Sequence, residues 1–312
     1  SKIHTRNFVG PSGKIYVGSK QGYPSEEDRK NNVQYPGGYV LVYDPATDEV
    51  ENLGMPYPGE GVIDVTADEE RGLIYVCTCE EGHWMLYDVK TKNYRDLGLD
   101  LPQFMTTLVD YRGRAHVFTQ NLQLATYDPA TGQLTRQDVL LDGAPLRDHF
   151  KDYSPGGIVA PDGKTAYISN LSDPSLYRLD LTSAGPTTHV TRLGRMIETE
   201  KCDSRGSLCL GPDGRVYRVL LLPDKGVHHL ARYDPQTRQM EDLGVLAVKN
   251  PDYFDFEAAR QAGNKWLNGF RHLPDGTLIP SGTHMAGRVA HDGTIYVTII
   301  YPFTLLRINA IP

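Results

Sequence analysis

The sequence contains a short repeat that recurs along almost its whole length. Tyr-Asp-Pro-Ala-Thr begins at Tyr43 and at Tyr127, close copies begin at Tyr87 and Tyr233, and a looser copy begins at Tyr177. Periods of roughly 40 to 50 residues containing several short strands are typical of β-propellers. Proline presets the backbone angle φ and aspartate accepts hydrogen bonds from the amides that follow it, so each copy predicts a tight turn.

Two further motifs complete each repeat. A turn glycine precedes a β-rich triplet, as in Gly13-Lys-Ile-Tyr-Val and Gly293-Thr-Ile-Tyr-Val, and a Leu-Gly pair ends the unit, as at Gly54 and Gly98. Asp-Gly before several of these triplets is a strong hairpin signal. Each unit is therefore predicted to be a four-stranded antiparallel blade. The predicted fold class is an all-β protein, a β-propeller in which seven blades are favoured and six are kept open.

Residues 1–312 are predicted to form a single propeller domain. The interval at about 245–283 is longer than one repeat and is expected to be either a long insertion or a degenerate blade. Within it, residues 255–261 give the one convincing short helix, and Asp275-Gly276 predicts a hairpin across residues 272–279.

Composition limits the expected partners. The formal net charge is −7, with 32 basic and 39 acidic residues and no block of Lys or Arg, so nucleic acid is not an expected partner. No apolar run approaches the roughly 18 residues that a membrane span needs, and no membrane is expected. A small molecule or an oligosaccharide is the expected substrate. The compartment stays open, with a secreted or periplasmic location slightly favoured.

The repeated pattern Gly-x-Ile-Tyr-Val, Leu-Tyr-Asp-Pro-x-Thr, Leu-Gly resembles a broad bacterial β-propeller superfamily. That superfamily includes streptogramin lyase-like proteins and the propeller-fold polysaccharide lyases and hydrolases that act on rhamnose–uronate linkages. The resemblance covers nearly the whole chain, and it concerns the scaffold. It implies a carbohydrate-active enzyme working at the mouth of the central channel. The first hypothesis is a polysaccharide lyase that cleaves a uronate-containing glycan by β-elimination.

The residues that β-elimination requires can be proposed from the sequence. A cation must neutralise the uronate carboxylate, a base must remove the proton on carbon 5, and an acid must protonate the leaving oxygen. The segment Pro145–Ser154 supplies Arg147, His149 and Tyr153, and Lys20 and Arg205 are predicted to add positive charge. The alternative is that this segment is merely a polar loop.

A metal site is the second hypothesis. The channel-mouth positions of the repeat include His4, Glu60, His83 and His284, and imidazole with carboxylate suits a divalent metal such as Zn²⁺, with Ca²⁺ as another possibility. A metal-bound water would make the protein a metal-dependent hydrolase of lactones or phosphate-type esters. Loop histidines and glutamates are, however, more often simply solvated.

The third hypothesis is a non-catalytic propeller that binds a glycan or a protein. The remaining candidates are given structural roles: Cys77 and Cys79 as core fillers, His116 as a substitute for a repeat tyrosine, and His228 and His229 as residues preceding a strand. The sequence lacks a Gly-x-Ser-x-Gly nucleophile elbow, a phosphate-binding loop and a dinucleotide glycine fingerprint. Those absences count against a serine esterase and against nucleotide or NAD binding.

Overall fold

The computed structural model describes residues 2–3, 5–20, 25–102, 105–150, 155–249, 256–263, 270–273, 277–280, 282, 284–300 and 303–311. In these ranges the chain is mostly β-strand, with three helices of four to six residues. It divides into two units. Unit 1 consists of residues 1–166 and 179–191, and unit 2 of residues 167–178 and 192–312.

Unit 1 begins with two antiparallel sheets. The first has the order β1-β3-β4-β5, with β2 also pairing with β3: β1 (Lys2–Ile3), β2 (Phe8–Val9), β3 (Ile15–Lys20), then α1 (Glu26–Lys30), β4 (Val40–Asp44) and β5 (Glu49–Gly54). The second has the order of the chain: β6 (Gly61–Asp68), β7 (Leu73–Cys79), β8 (His83–Asp88) and β9 (Asn93–Asp100).

The third and fourth sheets are joined along their last strands. The third comprises β10 (Leu108–Val109), β11 (Ala115–Phe118), β12 (Leu124–Asp128) and β13 (Gln133–Leu141), followed by β14 (Ala144–Pro145) and α2 (Leu146–His149). The fourth comprises β15 (Gly156–Val159), β16 (Thr165–Ser169), β17 (Ser175–Asp180) and β18 (Thr187–Arg195). Strand β13 pairs with β18 in parallel, from Asp138 opposite Thr187 to Leu141 opposite Val190. The boundary between the two units runs through the fourth sheet.

Unit 2 contains three further sheets. The fifth is β19 (Cys209–Leu210), β20 (Val216–Leu222), β21 (Val227–Asp234) and β22 (Gln239–Val245). A three-stranded sheet follows, ordered β23-β25-β24: β23 (Val248–Lys249), α3 (Phe256–Gln261), β24 (Phe270–His272) and β25 (Thr277–Pro280). The last is β26 (His284–Val289), β27 (Ile295–Ile300) and β28 (Phe303–Ile308).

This arrangement confirms the predicted fold class: the protein is an all-β protein with four-stranded antiparallel propeller blades. The hairpin predicted after residue 272 is also confirmed, because β24 pairs antiparallel with β25. The interval predicted to be an insertion or a degenerate blade thus contains a small sheet of its own. Whether the propeller is counted as having six or seven blades depends on that sheet.

The Tyr-Asp-Pro-x-Thr turns form as the sequence predicts. The carboxylate of the aspartate accepts the amide hydrogen two residues later, at 3.0 Å for Asp44, 2.9 Å for Asp128 and 2.8 Å for Asp234. Four residues after the aspartate the backbone takes a positive φ, for example 58° at Asp48 and 60° at Arg238. That left-handed residue reverses the chain into the next strand.

The prediction of a single short helix was wrong, because α1 and α2 accompany the predicted α3. Helix α1 is held by a capping box: the Asp28 amide donates to Ser25 Oγ at 3.0 Å, and the Ser25 amide donates to the Asp28 carboxylate at 2.9 Å. Helices of four or five residues are too short to show the periodic apolar pattern that identifies a helix. None of the helices in the described ranges is long and apolar enough to cross a membrane.

Each unit has its own apolar core. In unit 1 the cluster includes Val40, Val65 and Val76, and in unit 2 it includes Val219 and Val297. All four cysteines lie in the described ranges, are buried and form no disulfide bond. The packing role predicted for Cys77 and Cys79 agrees with their burial, since a free buried cysteine behaves as a small apolar side chain.

Candidate functional site

Two of the lyase residues predicted near α2 lie at the protein surface. Arg147 and His149 lie on α2 and are exposed, and the Arg147 side chain is 3.9 Å from Asp148. Tyr153 lies outside the described residues. The predicted grouping of these three side chains around a substrate stays a prediction.

Lys20 and Glu60 are both committed to local partners in unit 1. Lys20 Nζ lies 3.1 Å from the Glu80 carboxylate. Burial opposes its positive charge, but the hydrogen bonds to Glu80 and Cys79 outweigh burial and raise the pKa of Lys20. Glu60 is buried and accepts the backbone N–H groups of Glu81 at 3.1 Å and Gly82 at 3.4 Å. Of the other predicted metal ligands, His4 lies outside the described residues.

His83 lies at the start of β8 in unit 1. The contacts of its ring are with Tyr57 and Asp96, not with Glu60. Its ring stacks on Tyr57, with ring centroids 3.8 Å apart, and its Nδ1 is 3.3 Å from the Asp96 carboxylate. In the described parts of the chain, no three His, Cys, Asp or Glu side chains are grouped closely enough to hold a metal ion.

His284 belongs to unit 2, where it forms a pair with His228. Both imidazoles are fully buried, and their ring centroids lie 5.1 Å apart with the rings nearly perpendicular. His284 begins β26, and His228 is the second residue of β21. The pair is therefore fixed by two strands of the unit 2 sheets.

Backbone contacts determine which nitrogen of each ring carries its proton. His228 Nδ1 lies 3.1 Å from the carbonyl oxygen of Pro280, so this nitrogen must donate and Nε2 keeps its lone pair. His284 Nε2 accepts the backbone N–H of Arg205 at 3.2 Å, so the proton sits on Nδ1. A lone pair on His228 Nε2 and an N–H on His284 Nδ1 thus remain. Among the residues that the structure describes, neither atom has a hydrogen-bond partner.

The same assignment bears on the predicted metal site. A neutral imidazole protonated at Nδ1 and accepting at Nε2 has no lone pair left for a metal ion. His284 in this state is suited to donate a hydrogen bond, whereas His228 is suited to accept a proton.

Arg205 connects this pair to the protein surface. Its backbone N–H donates to His284, while its side chain is 43% exposed. Nε of Arg205 lies 3.2 and 3.3 Å from the two carboxylate oxygens of Asp203. Its two terminal nitrogens form no hydrogen bond or ion pair with the described residues. The planar fork of a guanidinium matches a carboxylate, so the predicted role of Arg205 as a carboxylate-binding cation stays a prediction.

Charge and burial keep both histidines neutral. Burial lowers the pKa of His228, opposed by the Pro280 hydrogen bond and by the Asp203 charge. Burial, followed by electrostatic interaction with His228 and with the positive charges of Arg218 and Arg205, lowers the pKa of His284 well below 6.5. A neutral imidazole with an open lone pair is the state that a general base requires.

These shifts predict a loss of stability in acid. In the unfolded chain the histidines take up protons near pH 6.5, whereas the folded protein resists protonation. Stability should therefore be constant above that pH and should fall as pH decreases below it, by at most about 1.4 kcal/mol per pH unit for each histidine. The free energy of unfolding of wild type and His284→Gln can be measured with urea at several pH values. It should decrease less steeply with falling pH in the variant than in the wild type. The control is His291→Gln, at an exposed histidine. The free energy of unfolding of this variant should change with pH as that of the wild type does.

Several residues of these sites were missed at the sequence level. His228 was given little weight as a residue that precedes a strand, and Asp96 and Glu81 were not singled out. Contacts between distant segments decide the burial of Arg218 and Asp64 and leave one nitrogen of His228 without a hydrogen-bond partner among the described residues. The one available signal was a charged residue inside an apolar run, as in Gly61-Val-Ile-Asp-Val.

Comparisons with known proteins extend only to the fold. No protein-family model and no curated protein sequence matches the chain. Hydrazine synthase from Kuenenia stuttgartiensis matches with a TM-score of 0.56 at 12% identity, over 99% of this chain and 97% of that one. A protein of unknown function from Bacteroides thetaiotaomicron gives 0.54 at 10% identity, over 98% and 70%. A Lactobacillus plantarum protein gives 0.52 at 15% identity, over 95% and 82%. These similarities support the β-propeller scaffold.

Proposed function

We propose that this protein is a carbohydrate-active enzyme, a polysaccharide lyase that cleaves uronate-containing glycans with His228 as the general base. The observation that carries the proposal is the unpartnered lone pair on the buried His228 Nε2. The His228 ring packs against the ring of His284, which accepts the backbone N–H of the exposed Arg205. This set replaces the group of residues first predicted around α2.

Each component has a role in elimination. The terminal nitrogens of Arg205 bind the uronate carboxylate and make the proton on carbon 5 more acidic. His228 Nε2 removes that proton, the C–H electrons form the double bond between carbons 4 and 5, and the bond from carbon 4 to the glycosidic oxygen breaks. The departing oxygen takes up a proton, which the newly formed His228 imidazolium can return. His284 Nδ1–H donates a hydrogen bond to a substrate oxygen.

The test uses a variant that removes the base but preserves its anchor. His228→Asn places an amide N–H where Nδ1–H donates to Pro280, and it lacks a group at Nε2. The variant should lose at least about a hundredfold in kcat on a uronate glycan that the wild type cleaves. The reaction is followed by the ultraviolet absorbance of the unsaturated uronate product.

His229→Asn is the matched control. His229 is the next residue on β21, but its Nδ1 contacts the Asp242 carboxylate at 2.9 Å, away from the buried pair. It should keep wild-type activity. Three results would oppose the proposal: full activity in His228→Asn, glycan binding without cleavage by the wild type, or new reducing ends without the absorbance. The last result would indicate a hydrolase, in which the two histidines hold a water molecule between them.

A further inference from the structure

His83 in unit 1 is held in one orientation by three contacts. Its ring is nearly parallel to Tyr57, with an interplanar angle of 14°, and its backbone N–H donates to Thr78 Oγ1 at 2.7 Å. Its Nδ1 lies 3.3 Å from Asp96 Oδ2 on the neighbouring strand β9. A carboxylate at Nδ1 places the proton of the neutral ring on that nitrogen and leaves the lone pair on Nε2. Carboxylates orient metal-binding histidines in this way.

The Nε2 atom of His83 is the unusual feature. It is shielded from solvent and has no hydrogen-bond partner among the described residues. The group next to it is the Glu81 carboxylate, whose Oε2 is 3.9 Å away, too far for a hydrogen bond. The Glu81 side chain is otherwise 83% exposed, so it can adjust its position.

Glu60 fixes the loop that carries Glu81. Its carboxylate accepts the backbone N–H groups of Glu81 and Gly82, in the turn between β7 and β8. In the same turn, Glu80 has a φ of 102°, a conformation that non-glycine residues rarely adopt. Glu60 therefore orders the turn, and Glu80 forms an ion pair with Lys20. Glu81 is the glutamate of this turn whose carboxylate lies beside His83.

We propose that His83 Nε2 and the Glu81 carboxylate bind one divalent first-row metal ion such as Zn²⁺, with water completing the coordination. Zinc lies about 2.0 to 2.1 Å from an imidazole nitrogen and about 2.0 to 2.2 Å from a carboxylate oxygen. In tetrahedral coordination two such donors lie about 3.4 Å apart. The observed 3.9 Å therefore requires the Glu81 carboxylate to move closer by about half an ångström, which the exposure of its side chain allows. An imidazole donor also favours Zn²⁺ over Ca²⁺.

This site differs from the metal set predicted from the sequence. It keeps His83, replaces Glu60 by Glu81 and needs neither His4 nor His284. Asp96 is a positioning residue, since it acts through the His83 ring. The site lies wholly within residues 57–96 of unit 1 and does not depend on the proposed lyase activity.

The repeat provides a matched control. His229 and Asp242 occupy the positions of His83 and Asp96 in another blade, four residues before and nine residues after the repeat tyrosine. His229 Nδ1 also contacts its aspartate, at 2.9 Å. Among the described residues, however, no carboxylate is positioned at His229 Nε2 as Glu81 is at His83. His229→Asn therefore removes the same kind of histidine without removing the proposed metal site.

Calorimetric titration of chelator-treated protein with ZnCl₂ tests the proposal. We expect wild type and His229→Asn to bind one equivalent, and His83→Asn to lose that binding while its circular dichroism is unchanged. Glu81→Gln should bind at least tenfold more weakly, and Asp96→Asn about 10- to 100-fold more weakly. Absence of Zn²⁺ binding by the wild type, or equal binding by wild type and His83→Asn, would refute the site.

Discussion

Replacing Arg218 by methionine should lower the free energy of unfolding by about 3–5 kcal/mol, because buried hydrogen-bond acceptors lose their donor. The Arg218 guanidinium is fully buried in unit 2. It donates to Ser204 Oγ at 2.8 Å and to the carbonyl oxygens of Ser175 at 3.0 Å, Asn170 at 2.6 Å and Asp173 at 2.8 Å. Methionine fills part of the space but donates no hydrogen bond. Three carbonyl groups then lose this donor, and two of these hydrogen bonds are buried. The loss of a hydrogen-bond partner costs a buried polar group about 1–3 kcal/mol.

Arg178→Met is the control for Arg218→Met. Arg178 lies on β17 of the same unit and is exposed, so its replacement should change stability by less than about 0.5 kcal/mol. The free energies of unfolding of both variants are to be measured by urea unfolding at pH 7.5. A loss below about 1 kcal/mol for Arg218→Met would mean that the loop around Asn170–Ser175 is held by other contacts. Arg218→Lys should be nearly as damaging, because one ammonium group cannot reach all four acceptors.

The repeat was sufficient to predict the blades because turn chemistry is local. The aspartate of each Tyr-Asp-Pro-x-Thr turn accepts a hydrogen bond from the amide two residues later. Such a contact involves only residues that are close in the sequence, so the sequence motif is enough to predict it. The role of His116 could also be judged, since a histidine replacing the repeat tyrosine has to be buried. The structure shows it between Thr126 and Asp110. Burial of Asp110 is outweighed by hydrogen bonds from His116 and Arg114, which hold its pKa at about 2.

The candidate sites were harder to predict because they depend on contacts between distant segments. His228 and His284 are 56 positions apart and become a pair only when two strands of different sheets meet. Their proposed roles depend on which ring nitrogen contacts the backbone, Nδ1 in His228 and Nε2 in His284. No sequence pattern specifies these contacts. Arg218 was overlooked for a related reason. Strand β20 is buried on both faces, so the alternation of apolar and polar residues that marks an exposed strand does not apply to it.

Replacing Asp64 by alanine should destabilise unit 1 to a similar extent, by about 3–5 kcal/mol. Asp64 is 1% exposed, and one carboxylate oxygen accepts from Arg6 Nε at 2.8 Å. The other accepts the backbone N–H of Thr107 at 3.1 Å and the hydroxyl of Thr66 at 3.2 Å. Alanine would leave the Arg6 charge largely buried without its counter-ion, and such an uncompensated charge is costly.

A second variant separates the charge from the packing. In Asp64→Ala/Arg6→Met both ions are absent, so much of the lost stability should return, because removing a buried pair together costs less than removing one partner. Asp138→Ala, at an exposed carboxylate that accepts from Gln123 at 2.8 Å, should cost less than about 1 kcal/mol. If the double variant is as unstable as Asp64→Ala, the loss comes from the Thr107 and Thr66 hydrogen bonds. The buried charge of Arg6 would then not be the cause.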